Sequence, residues 1–504
     1  MNLLRRSLLG LLIAMGLARL LGYLAYAAAS LPSPMEAFHL EAKMVLLANR
    51  AELGVTLYPS WRDYPHVSNF FGPVYFGLVG LVGRAFEAEI PDLFAIGRGI
   101  SFGSGLLTSM ILGVVVARRA GARAGLAGAL LSLGAAPMFG FSVMVRPDLL
   151  AELLGISGFF LAGHKALGGR VAGGLLLALA ALTKQTTVVF LMAAVLSSIF
   201  EHEWRRGLRL AIGVGGLLLI AVLGVTLAIE PNFASGLTGE SKTPWELGSM
   251  TRNLTQVWKL APDLLYFPIL GLILWLSGAS GVREVRPVVL TAILLASSLG
   301  LAAKRGADLN YDLSLRAAEA LAVGALWQAW SLSTPGTRLR SGLLAIATLL
   351  GGASLIPGVI VAVAQARAGA AKAAFLEGPY GREVLGFYRE LERKAVDPDF
   401  HLLTDSGLID LYHGERAVFG DPWLFRMLAE TGQLTPTLIR DRIDSGYYDL
   451  IVTTSELDRP TYDSYEFGLP KLLADRARVR YVRIGTRAGL FLYGRRPTTS
   501  PGPG

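Results

Sequence analysis

What most constrains this chain is the recurrence of long apolar runs, each set off from the next by a short polar stretch. A hydrocarbon core about 30 Å thick is crossed by a helix of roughly 20 apolar residues. Runs of that order lie at residues 7–29, 93–117, 124–143, 208–229 and 343–364, with shorter ones at 149–162, 260–276, 288–303 and 313–330. Residues 171–200 form a longer run interrupted by Thr183-Lys184-Gln185. Only 17% of the residues are charged, where soluble domains carry about 25%. These features predict a polytopic α-helical membrane protein of about eleven spans.

The net charge of +9 is spread in a way that argues against nucleic acid. Arginine and lysine gather in short clusters between apolar runs, at Arg118, Arg119 and Arg123, at Lys165 and Arg170, at Arg205, Arg206 and Arg209, at Arg283 and Arg286, and at Arg338 and Arg340. Such clusters fix cytoplasmic loops. Arg5-Arg6 then keeps the N-terminus inside. The AYAAAS stretch resembles a signal-peptide cleavage flank, but the preceding apolar part is longer than a usual signal core, so a retained first span is expected. With no cysteine, disulfides and thiolate metal sites are excluded.

Two local decisions set the topology. The apolar segment 73–86 is short for a span and reads as an interfacial helix, which leaves every basic cluster inside. A single helix over 171–200 would bury Lys184 near the bilayer centre at about 3 kcal/mol, so two short helices meeting at an outer turn are expected. The first outer loop is then 31–92, within a membrane domain of 1–366. From about Arg367 the composition changes. Strands are expected at 400–404, 449–454, 480–484 and 490–493, with helices at 422–431, 436–445 and 469–478. This reads as a small outer α/β domain, 367–496, followed by a tail, 497–504, too rich in proline, glycine and serine to order.

With this topology an unusual set of polar residues faces outward. A helix over 35–50 would place Glu36, His39 and Lys43 on one face, with Glu41 a solvated neighbour. His66 follows in the same loop, Arg146 and Asp148 in the second, Lys184 in the third, and Lys304 and Arg305 later. Outer cations run against the charge rule. Two separated carboxylates ringed by Lys and Arg suit transfer of a group from a phosphate, one acid taking the acceptor's proton and the cations holding the departing phosphate. Glu36, His39 and Asp148 could together ligate a divalent metal ion, though their spacing does not require one. Each residue also has a plainer role: Glu36 in a helix's first turn, Asp148 paired with Arg146, Lys184 reaching the headgroups, His66 stabilising a turn.

The acidic first loop, RPDLL opening a helix and ALTKQT in a broken helix pair together resemble GT-C glycosyltransferases, more narrowly the bacterial relatives of protein O-mannosyltransferases and lipid A aminoarabinose transferases. The resemblance covers roughly residues 1–365 in layout. It implies an inverting enzyme at the outer face of the cytoplasmic membrane that takes a sugar from a polyprenyl phosphate and gives it to a lipid, glycan or protein acceptor. It implies Glu36 and Asp148 as the catalytic acids and Lys184 as the basic residue of the third loop. The family commonly shows an Asp-Glu pair where this chain has Met35-Glu36, so Glu36 holds that position alone. A transporter or flippase for a lipid-linked saccharide, or a non-catalytic cell-envelope assembly factor, would use the same cations without chemistry.

Overall fold

A computed structural model describes residues 2–497 apart from 37–39, 240–243, 280–283, 305–308, 333–337, 414–416 and 458–467. The loop expected to be the first outer one lies between α1 (Asn2–Ser30) and α4 (Ile90–Ala120), and carries α2 (Glu41–Leu53) and α3 (Pro73–Phe86). Proline at the start of α3 fixes its N-terminus, and Glu89 and Asp92 form a reciprocal capping box that opens α4. The helix expected over 35–50 begins only at Glu41. Arg98, on α4, draws the carbonyls of Ser30, Ser33 and Met35 to its guanidinium, which holds that stretch out of a helical ladder. The Glu36 carboxylate instead accepts the Ala42 amide at 2.7 Å and so satisfies an orphan donor of α2.

Next come α5 (Ala122–Leu133), α6 (Ala136–Phe141), α7 (Asp148–Ala162), α8 (Leu167–Thr183), α9 (Val188–Phe200) and α10 (Trp204–Ala228). The expected span over 124–143 is split at Gly134, whose freed carbonyl receives Arg19 of α1. The expected break at Lys184 is present: its backbone is extended (φ −150°, ψ 122°) and a 3-10 turn, Gln185–Thr187, leads into α9. The polar stretch after α10 holds α11 (Phe233–Gly239) and the amphipathic α12 (Leu247–Leu260), which meets α13 (Asp263–Leu276) at 89°. Then follow α14 (Val285–Ala302), α15 (Leu315–Ser331) and the 40-residue α16 (Arg338–Glu377). Helices α1, α4, α10, α14 and α16 are each long and apolar enough to cross a bilayer, which makes this a membrane protein. Helices such as α7 and α13, at 15 and 14 residues, are shorter than a full span.

The compositional change near Arg367 falls inside α16, which runs on to Glu377 and hands over to α17 (Pro379–Ala395). Beyond it, β1 (Leu402–Thr404), α18 (Gly407–Tyr412), α19 (Pro422–Glu430), α20 (Thr437–Asp444), β2 (Leu450–Thr453), α21 (Lys471–Arg480), β3 (Tyr481–Arg487) and β4 (Leu490–Arg495) form a four-stranded sheet with helices. Strand order is β1-β2-β4-β3, with β1 parallel to β2 and the other pairs antiparallel. Every residue of β2 is buried. This unit shares a hydrophobic cluster with the first outer loop: Val67, Phe71 and Phe76 pack with Phe387, Leu402 and Leu408. Polar contacts reinforce the joint. Lys43 pairs with Asp421 at 3.0 Å, both buried, and the His66 amide donates to Val418 O at 2.8 Å. Buried Asp410 accepts the amides of Val418, Phe419 and Gly420, fixing the docking loop, while burial pushes its carboxyl up to about 6.

Candidate active site

The chemistry converges where α7 begins and α8 breaks. Asp148, the first residue of α7, accepts Lys184 Nζ at 2.6 Å on one oxygen and Arg146 Nε at 3.1 Å on the other; Asn310 adds a third bond at 3.2 Å. All three charged side chains are buried. One carboxylate facing two cations leaves the group positive, and an aromatic ring lies about a ring-contact distance from each: Tyr311 5.0 Å from Lys184, Phe141 5.0 Å from Arg146. Asp148, Lys184, Thr186, Thr187, Asn310 and Tyr311 line a small cleft to which Leu301 and Leu313 also contribute. Two cations in an apolar surround, at the end of a short helix, have the chemistry that suits an anion.

A second group adjoins it. Glu41, expected as a solvated neighbour, is instead fully buried and holds Arg98 through two bonds, at 2.6 and 2.8 Å. The same carboxylate accepts the Val145 amide at 2.9 Å, next door to Arg146. Ser101 Oγ donates to Arg146 O at 3.1 Å, and the Tyr75 hydroxyl lies 3.2 Å from Ser101. Glu36 stands at the edge of this network. Burial, with Glu41 and Asp421 nearby, pushes its carboxyl well above the usual range, against the Ala42 amide that favours the ionised form. Gly72 seats the loop on the Lys184 turn: its amide donates to Thr183 O at 3.2 Å, and a β-carbon there would lie 1.6 Å from Leu182 O. Gly72→Ala is therefore expected to lift the loop off that turn and lower the Tm by several degrees; an unaltered protein would contradict this packing.

Of the residues singled out in the sequence, Asp148, Arg146 and Lys184 are brought together, and Glu36 lies in the adjoining network. His66 is directed elsewhere. Its ring packs 5.1 Å from Phe425 and its Nδ1 lies 3.2 Å from Trp61 O, so it joins the loop to the α/β unit; burial lowers its pKa. Lys43 likewise serves that joint. Lys304 follows α14 and bridges through its backbone to Trp245. His39 and Arg305 lie outside the described residues. A Glu36/His39/Asp148 metal set meets an obstacle at Asp148, whose two oxygens are already committed to cations. Among the described residues no three metal-ligating side chains cluster.

Several further ionisable residues are buried within the apolar helices. Arg316 grips Glu152 by both oxygens, with bonds of 2.7 to 3.0 Å, one turn along α7 from Asp148. Arg19 pairs with Asp263 at 2.8 Å, both wholly enclosed, and Glu319 is buried beside them. The signal was available: a charge inside an apolar run is costly and marks function or a buried partner.

No family model matches the chain, and no curated protein matches it in sequence. Solved structures do. ArnT from Cupriavidus metallidurans bound to undecaprenyl phosphate superposes with a TM-score of 0.57 at 14% identity, over 96% of this chain and 98% of that one. The fold is that of the GT-C membrane glycosyltransferases. The oligosaccharyltransferase AglB from Archaeoglobus fulgidus, in complex with an inhibitory peptide and a dolichol-phosphate, shares the GT-C fold at a TM-score of 0.52 and 13% identity, over 96% of this chain and 75% of that one. A further structure of the archaeal enzyme, with Zn and sulfate, aligns at 0.51 and 14% identity over 95% of this chain and 73% of that one. The chain thus spans the whole of the ArnT fold and about three quarters of the archaeal one.

Proposed function

We propose that this protein is an inverting glycosyltransferase that moves a sugar from a polyprenyl-phosphate donor to an acceptor at the outer face of the cytoplasmic membrane. The observation that carries the reading is the buried Arg146–Asp148–Lys184 group, a net-positive receptor bordered by apolar helices. It gains support from the lipid phosphates named in the ArnT and AglB structures. Lys184 and Arg146 hold the donor phosphate, and Asp148 keeps the two cations aligned. Glu36 takes the acceptor hydroxyl's proton as that oxygen bonds to the anomeric carbon. The bond from that carbon to the phosphate oxygen breaks, and its electron pair leaves with the polyprenyl phosphate, steadied by the two cations. In this reading the N-terminus is inside and the α/β unit outside, and the unit's joint with the first loop supports a part for it in meeting the acceptor.

The test uses purified protein in vesicles, radiolabelled polyprenyl-phosphate sugars and a panel of acceptors. Glu36→Gln is expected to lower transfer by about 10²–10⁴-fold, as loss of a general base does. A base works ionised, so its raised pKa should move the acid limb of the pH–rate profile above the ordinary carboxylate range, with activity lost as pH falls through it. Label that crosses the vesicle without transfer would identify a translocase instead, and wild-type rates in both Glu36→Gln and Asp148→Asn would refute the enzyme.

A further inference from the structure

At the opposite end of α8 from Lys184 lies a groove of about 300 Å³ between α8 and α10. Its mouth carries Arg170 at the start of α8 and Arg206 and Arg209 at the start of α10; its walls are Val171, Leu175, Leu210 and Leu217. Glycines usually let membrane helices close up. Here they leave space. A β-carbon on Gly213 would meet nothing within 4 Å, and one on Gly174 would meet only Val214 and Leu210, at 3.5 and 3.7 Å.

The charges at the mouth are unbalanced. Arg206 is occupied: it donates to Ala162 O at 2.6 Å and pairs with Glu203. Among the described residues neither Arg170 nor Arg209 has a carboxylate within ion-pair distance, and Arg170 Nε is buried without a hydrogen-bond partner. Only 6% of α10's apolar window is buried within the protein, so the groove opens onto the hydrocarbon of the bilayer. Thirteen residues of α8 lie between Arg170 and Lys184, about 21 Å along the helix axis and roughly two thirds of a hydrocarbon core about 30 Å thick.

We propose that this groove binds an anionic phospholipid from the leaflet opposite the catalytic cluster, its phosphate on Arg170 and Arg209 and one acyl chain along Gly174 and Gly213. Two uncompensated guanidinium groups above an apolar trough match a headgroup phosphate continuous with a hydrocarbon chain. The site stands apart from the donor site and does not depend on the proposed reaction.

Native mass spectrometry of the intact protein, titrated with phosphatidylglycerol or phosphatidylcholine, tests it. Phosphatidylglycerol is expected to bind at least tenfold more tightly. The double variant R170Q/R209Q should bring it down to the phosphatidylcholine level, and Gly213→Leu, which fills the trough, should weaken both lipids at least tenfold. Gly213→Ala adds one methyl group in open space and should keep both fold and binding, so a collapse of the leucine variant can be told from a blocked groove. Equal binding of the two lipids, or variants that bind phosphatidylglycerol like wild type, overturns the proposal.

Discussion

Lys184→Met should reduce transfer about 10²–10³-fold, the usual cost of removing one preorganised group that stabilises a departing anion. The lysine sits where α8 stops, and its extended backbone is set by the turn, so the substitution need not disturb the helix break. It does leave Asp148 buried with Arg146 and Asn310 as its remaining partners. Part of the loss can therefore come from a buried carboxylate that has lost its shorter ion pair rather than from a missing phosphate ligand. Asp148→Asn in the same chain separates the two. The double variant should regain the thermal stability lost by Lys184→Met and yet remain inactive. Recovery of activity along with stability would show that Lys184 only neutralises Asp148. The loss should fall on kcat more than on KM, since the phosphate gains charge as the sugar departs.

Arg98→Ala is expected to destabilise the protein by about 3–5 kcal/mol, as truncating one side of a buried ion pair does, and to abolish transfer. The guanidinium satisfies Glu41 and three backbone carbonyls at once, so its removal leaves a buried carboxylate facing unpaired carbonyl oxygens. Arg98→Lys should rescue little, because an ammonium cannot reproduce the planar fork. Unfolding midpoints in detergent give the stability. Faster proteolysis within residues 30–36 would report the released segment, and a wild-type cleavage pattern would contradict this role.

Much of the fold is visible in the sequence because local rules agree there. Proline at the head of α3, the cost of a lysine in mid-bilayer at Lys184 and the short apolar runs that become β1 and β2 each decide their own element. The candidate site is only half visible. Arg146, Asp148 and Lys184 betray themselves by charge at the ends of apolar runs. The role of Glu41 is set by Arg98, 57 positions later, and no periodicity links them. The same contact explains why the helix expected from residue 35 starts at Glu41: an arginine on another helix takes the carbonyls that a local reading assigns to the ladder. His66 illustrates the reverse. A polar residue in a functional loop was spent on holding that loop against a unit more than 300 positions away.

The pairing of Arg19 with Asp263 bears on how the chain is made. A guanidinium in the first helix costs about 2.5–3.5 kcal/mol where it meets hydrocarbon, and its carboxylate partner is 244 positions further on. At about 5–20 residues per second, translation takes roughly 10–50 s to supply that partner. Throughout that interval the nascent helix carries an arginine whose carboxylate partner has not yet been made, which favours keeping it beside water or protein. Full settling of α1 in lipid is therefore expected to follow the emergence of α13.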